Sequence, residues 1–140
     1  MPEESTTSDL VERWRQGMEA FARRDLDAMM SFYAPDAVWD ASFVGIGTFD
    51  DRAAIRRHFE DWIAPYEEYG IEWEECQGLG KGVVFAVGRQ IGRPHGSAAR
   101  IKHRPAFVSE WVEGMVVRVT IYLDIDKARA AAERLAEERG

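Results

Sequence analysis

Cysteine is almost missing from this chain: Cys76 stands alone among 140 residues. A single thiol cannot close an internal disulfide, so packing and hydrogen bonds must hold the fold. A reducing cytoplasm is the expected setting. Long apolar runs are missing too. No stretch approaches the roughly 20 consecutive apolar residues of a membrane-spanning helix. The opening residues, MPEESTTSD, are acidic and polar. They lack the basic and apolar regions of a secretory signal. Positive charge is scarce, with 18 Lys and Arg against 25 Asp and Glu and a formal net charge of −7. That balance gives no attraction to nucleic acid or to an anionic membrane, and neither is expected as a partner. His58, His95 and His103 have no metal-ligand spacing and no HExxH motif occurs, so no metal and no cofactor is expected.

What remains is an ordinary globular mixture, 46% hydrophobic and 31% charged. One domain over residues 1–140 is expected, with a real core and with residues 1–7 frayed. Asp9 and Glu12 resemble a capping pair. Leu10, Trp14, Met18 and Phe21 recur at helical spacing through about Arg23. Asp25 caps a second helix with Leu26, Met29, Met30 and Tyr33 on its buried side, and Pro35 is read as its stop. Ala37 to Phe43 reads as a strand. Gly45 and Gly47 allow a sharp change of direction. Asp50 or Asp51 caps a third helix with Ile55, Phe59, Trp62 and Ile63 inside, ended by Pro65.

The second half is β-rich. Glu68–Gln77, Val83–Ile91, Ile101–Val112 and Met115–Leu123 read as four strands joined by short turns, an antiparallel meander. The turn Gly78-Leu79-Gly80-Lys81-Gly82 lacks the phosphate-loop spacing and sits between strands. Asp126 is read as the cap of a last helix, with Ala128, Ala131, Ala132 and Leu135 toward the core. Asp124 also lies at this helix start. Glu133–Arg139 is its solvated face. The fold class is α+β: a cone-shaped, curled antiparallel sheet with three helices from the N-terminal half enclosing a pocket, plus a C-terminal helix.

Arg24-Asp25-Leu26-Asp27 leads into Tyr33-Ala34-Pro35-Asp36-Ala37-Val38-Trp39-Asp40. Asp51-Arg52-Ala53-Ala54-Ile55 with Phe59 follows, and Glu113-Gly114 precedes Val116–Asp124. In that order and spacing the chain resembles the nuclear-transport-factor-2-like superfamily, especially its SnoaL-like branch. The resemblance covers nearly the whole chain. It implies a cone with a deep pocket, commonly in a homodimer. Relatives include ketosteroid isomerase, limonene epoxide hydrolase, polyketide cyclases and members without activity. Function therefore has to be read from the pocket residues.

The catalytic positions of those relatives are replaced here. The isomerase's base falls at Ala41, its tyrosine at Gly17 and its protonated aspartate near Phe107. The hydrolase's Arg and Asp fall at Gly88 and Gln90, and its second Asp at Ile121, where the cyclase acid also falls. Alternation along the strands then places Trp39, Ala41, Phe43, Gly88, Gln90, Ile101, His103, Phe107, Ser109, Val119, Ile121 and Leu123 on the inner face. Trp14, Phe59 and Trp62 close it from the helices.

The expected ligand site is thus Trp14, Trp39, Phe43, Phe59, Trp62, Gln90, His103, Phe107, Ser109 and Ile121. A small apolar or aromatic molecule is the expected occupant. The outer face, with Arg89, Lys102, Arg104, Glu110, Arg118, Thr120 and Tyr122, is expected to carry a homodimer or meet solvent. Three readings stay open. The first is a binding protein without the family catalytic set. The second is an isomerase, cyclase or hydratase using His103 as acid or base with Gln90 as orienter. In it Asp40 serves as partner if a bulge turns it inward and burial raises its pKa. The third is a structural dimerisation module with Trp14, Trp39, Trp62 and Phe107 in mutual contact and no cavity. Cys76 has no His partner and is read as inert packing.

Overall fold

A computed structural model describes residues 7–139 of the chain. The fraying expected of residues 1–7 lies outside them except at Thr7, which opens the first helix. The first helix, α1 (Thr7–Ala22), starts two residues before Asp9. Its Leu10, Trp14, Met18 and Phe21 are all buried, as their spacing requires. The second, α2 (Leu26–Met30), is capped by the Asp25 carboxylate, which accepts from the Ala28 amide at 3.1 Å. This helix is shorter than its apolar pattern implies.

Pro35 does not stop α2. It lies within strand β1 (Tyr33–Ala41), between Tyr33 and Val38, where the pairing register shifts. A proline is tolerated at such an irregularity because its missing N–H leaves no ladder bond broken. Residues Ser42–Val44 form a single 3₁₀ turn, so Phe43 falls outside β1. A short strand missing from the sequence reading, β2 (Gly47–Asp50), folds back on β1. Helix α3 (Arg52–Ile63) follows, capped by Asp51 through the Ala54 amide at 2.9 Å. It buries Ile55, Phe59 and Ile63.

The long strands are β3 (Tyr66–Gly80) and β4 (Val83–Pro94). Lys81 and Gly82 join them with φ of +58° and +76°, the two positive values of a tight hairpin turn. Glu113 and Gly114 do the same between β6 (Ala106–Val112) and β7 (Met115–Tyr122). The strand expected over Ile101–Val112 is broken. Its first piece, β5 (Ile101–His103), and β6 both pair with β4, and Arg104-Pro105 interrupts them. Pro105 has no N–H to donate, although its carbonyl accepts from the Gly88 amide at 3.1 Å.

The fold is mixed α+β around one seven-stranded sheet of order β2-β1-β7-β6-β4-β3, with β5 on β4. The meander β3-β4-β6-β7 is antiparallel throughout. Strand β1 joins it parallel to β7. On the inner face Trp39, Ala41, Val84, Ala86, Phe107, Trp111, Val119 and Ile121 pack with α1 and α3. On the outer face Val83, Phe85, Val87, Ala106 and Val108 pack with Ala128 and Ala132 of α4 (Ile125–Arg139). Strand β4 is therefore covered on both sides, which explains its unbroken apolar run.

Helix α4 thus buries its alanines on the sheet's outer side rather than in the cone. Its cap is Asp124, which accepts from the Lys127 amide at 3.1 Å, and not Asp126. Arg129 lies 4.6 Å above the Phe85 ring and holds both Glu75 oxygens, at 2.7 and 2.9 Å. The outer face is consequently not the open surface a homodimer there would need in full. Arg89, Lys102 and Arg104 on this face stay exposed, as does Phe43 beside Tyr122. Among the described residues, no helix is long and apolar enough to cross a membrane.

Candidate functional site

A pocket of about 270 Å³ lies where the 3₁₀ turn, the end of α3, β5 and the end of β7 meet. Val44, Ile46, Pro105, Ile121 and Leu123 supply its apolar lining, together with the Trp62 indole. Two polar side chains complete the lining, Gln90 and His103. They are direct register partners across β4 and β5. Gln90 is only 2% exposed, and its Nε2 is buried with no hydrogen-bond partner among the described residues. His103 is exposed at the rim. Ile46 and Leu123 also keep more than half their surface in solvent. Among the described residues, no Asp, Glu, Lys or Arg lines the pocket.

Four of the ten expected ligand-site residues, Trp62, Gln90, His103 and Ile121, are brought together here. The others are elsewhere. Phe107 is fully buried, with ring centroids of Trp14, Trp73 and Trp39 at 5.3, 5.9 and 6.3 Å. Phe59 meets Trp39 edge-on at 4.6 Å. Ser109 is buried, accepting from the Trp111 indole at 2.8 Å and donating to the Val84 carbonyl at 3.4 Å. Trp14, Trp39, Phe59, Phe107 and Ser109 are therefore core behind the pocket and not its lining. The physical reason is volume. Ala41, Ala86 and Gly88 present almost no side chain to the cone, and the large rings of other elements fill the space they leave. The compact interior of the structural-module reading is thus present in part, yet a cavity survives at one end.

Phe43 is the plainest correction. It leaves the sheet with the 3₁₀ turn, is 65% exposed, and stacks on Tyr122 of the outer face at 5.1 Å. Asp40 also belongs to the outer face. Its carboxylate accepts from the Ser42 hydroxyl at 2.6 Å, the Ser42 amide at 3.0 Å and the Thr48 hydroxyl at 3.3 Å. Arg118 donates to its other oxygen at 2.7 Å. Burial by itself would raise this carboxyl. The Ser42 hydroxyl and amide, the Arg118 charge and the Thr48 hydroxyl outweigh it and hold the group below the ordinary carboxylate range. Asp40 is therefore a satisfied anion, and the proposed pairing with His103 across the sheet fails.

Pro105, Val44 and Ile46 were missed as lining residues. The available signal was weak: an apolar residue, Ile46, set between Gly45 and Gly47 in a turn. His58 was also missed as a neighbour of the site. Its ring stacks on Phe49 at 4.2 Å and stands 5.5 Å from the Trp62 wall. Its Nε2 is buried without a partner among the described residues. Burial lowers its pKa, against a smaller opposite effect of Asp61. Cys76 has its thiol pushed up to about 11 by burial, with Arg15 opposing and Glu75 assisting, which fits an unreactive group. Among the described residues, no group of three His, Cys, Asp or Glu gathers as metal ligands.

Comparison with known proteins bears on this geometry. A family model described as the SnoaL-like domain matches residues 12–119. No functionally curated protein matches the chain. Solved structures do. Bal32a, from a soil-derived mobile gene cassette, superposes with a TM-score of 0.73 at 19% identity, over 91% of this chain and 98% of its own. A hypothetical protein of Catenulispora acidiphila DSM 44928 with a ketosteroid isomerase-like fold, in complex with trimethylamine, gives 0.71 at 15% identity, over 86% and 92%. A putative SnoaL-like polyketide cyclase of Shewanella putrefaciens CN-32 gives 0.70 at 12% identity, over 90% and 86%. At these identities the likeness is one of fold.

Proposed function

The chain belongs to the SnoaL-like domain family, and from that premise we propose that it binds a small, largely apolar molecule in the pocket around Gln90 and His103. One observation carries this reading. The Gln90 amide is buried in an apolar wall with its Nε2 unpartnered. A stranded buried donor costs about 1–3 kcal/mol. A ligand oxygen accepting from Nε2 removes that cost on binding. The apolar walls supply the rest of the affinity by burial. The isomerase-like neighbour, bound to trimethylamine, is consistent with small-molecule binding on this fold.

The test is thermal shift followed by calorimetry against neutral cyclic ketones, phenols and lactones. The expected result is a shift for the unaltered protein that is lost in Gln90→Leu. Binding that is indifferent to Gln90, or no binder across the panel, defeats the proposal.

A second reading is supported by the direct opposition of Gln90 and His103. With a ketone oxygen on Gln90, a His103 imidazole from the neighbouring strand would move a proton at the adjacent carbon. Imidazole is the side chain suited to that work near neutral pH. Deuterium exchange into a bound ketone, followed by NMR, is expected to stop in His103→Ala. Exchange that survives the substitution removes His103 from the chemistry. A homodimer belongs to the same proposal, using the uncovered part of the outer face around Phe43, Arg118 and Tyr122. Light scattering that returns the monomer mass would reject it.

A further inference from the structure

We propose that Phe107 sets the depth of this pocket and limits its ligand to uncharged molecules of one or two rings. The inference rests on the binding role proposed for the site and names its ligand class. Phe107 lies directly opposite Ile121, a lining residue, on β7, and opposite Ala86 on β4. It therefore stands beside Ile121 on the inner face of the sheet, next to the pocket. The pocket is about 270 Å³. At about 30 Å³ per water-sized group, that holds on the order of ten non-hydrogen atoms. Among the described residues no Asp, Glu, Lys or Arg lines the pocket, so the desolvation of a charged ligand there is penalised.

Around Phe107 the interior is of a different kind. Trp14, Trp39 and Trp73 surround its ring, and the Nε1 of each is buried with no acceptor among the described residues. The Trp111 indole, by contrast, has its acceptor in Ser109. Three indoles with unpartnered N–H donors thus surround one removable phenyl group. A shorter residue at position 107 connects the pocket to them. It adds room for a further ring and donors for a second oxygen at its far end.

The probes are 2-tetralone, with two rings, and anthrone, with three, titrated calorimetrically into wild-type protein and Phe107→Ala. Wild type is expected to bind anthrone at least about tenfold more weakly than 2-tetralone. Phe107→Ala is expected to reverse that order and to change the tryptophan fluorescence when anthrone binds. If near-UV circular dichroism shows that Phe107→Ala is unfolded, Phe107→Leu is held to the same outcomes. Equal affinity of wild type for both ketones overturns the inference, as does a folded variant that keeps the wild-type order. Failure of wild type to bind either probe, or any smaller ketone or phenol, defeats the binding role itself and this inference with it.

Discussion

Arg118 Nη2 donates to Asp40 Oδ2 at 2.7 Å, on the side of the sheet away from Gln90 and His103. The pair joins β1 to β7, the one parallel contact in the sheet. Asp40→Asn removes the charge that Arg118, Ser42 and Thr48 converge on. The expected loss at pH 7 is about 1–3 kcal/mol, toward the lower end because Arg118 is partly solvated. The sign with pH follows from the lowered folded pKa. The contribution is complete above the unfolded value of about 4 and disappears as pH falls through the lower folded value. Urea melts of both proteins across acidic pH measure it. Ligand affinity is expected to be unchanged, and a loss of binding would show that Asp40 reaches the pocket.

Gln90→Leu is expected to act in opposite directions on stability and binding. Removing a buried amide with a stranded N–H leaves the fold neutral or more stable by about 1 kcal/mol. The same change weakens a ligand held by that N–H by about tenfold. Chemical denaturation and calorimetry on one preparation separate the two effects. A destabilised Gln90→Leu would mean that the amide is satisfied within the protein.

Gly88 faces Trp73, and a Cβ there would lie 3.0 Å from Trp73 Cζ3 and 3.4 Å from Ile71 Cδ1. Trp73 is itself held by Trp14 at 5.8 Å and by Phe107 at 5.9 Å, so its ring has little room to give. Gly88→Ala is expected to cost about 1–3 kcal/mol by overpacking. At Gly92 a Cβ would lie 2.5 Å from the Tyr66 ring, whose ring neighbour among the described residues is Tyr69 at 5.5 Å, a less crowded setting than that of Trp73. Gly92→Ala is therefore expected to be the milder change. Thermal melts of the two variants decide the order.

His58 gives the fold a second pH dependence. Its pKa is lowered by burial from an ordinary 6.5. The unfolded chain then binds more protons than the folded one just below that value, so stability falls as pH drops from about 6.5 toward the lowered folded value. His58→Phe keeps the stack on Phe49 and removes the titration. Its melting temperature is expected to vary less with pH between about 6.5 and 5 than that of the parent. An unchanged slope would assign the dependence to other groups.

Much of this molecule is legible in its residues alone. Leu10, Trp14, Met18 and Phe21 mark a helix face because a turn takes 3.6 residues, and that requirement is local. Asp25, and Asp50 or Asp51, mark helix starts because a carboxylate reaches an amide three residues on. Strict alternation assigned Trp39, Phe107 and Ile121 to one side of the sheet and Arg118, Thr120 and Tyr122 to the other. Each of these rests on geometry within a few residues.

What tertiary structure decided is of another kind. Pro35 sits in a strand because β7 offers an irregular partner there. Arg104-Pro105 interrupts a β-prone run between β5 and β6, both of which pair with β4. Helix α4 presents the same alanines whichever face it covers, and on the outer face it meets Phe85 and Glu75, 40 and 50 residues before its start. Asp40 lost its prospect as a base to Arg118, 78 residues distant. The pocket's depth was least legible of all. It is the difference between the volume of a sheet lined by Ala41, Ala86 and Gly88 and the volume of the rings that fill it. Differences of that kind exist only once distant segments are packed against one another.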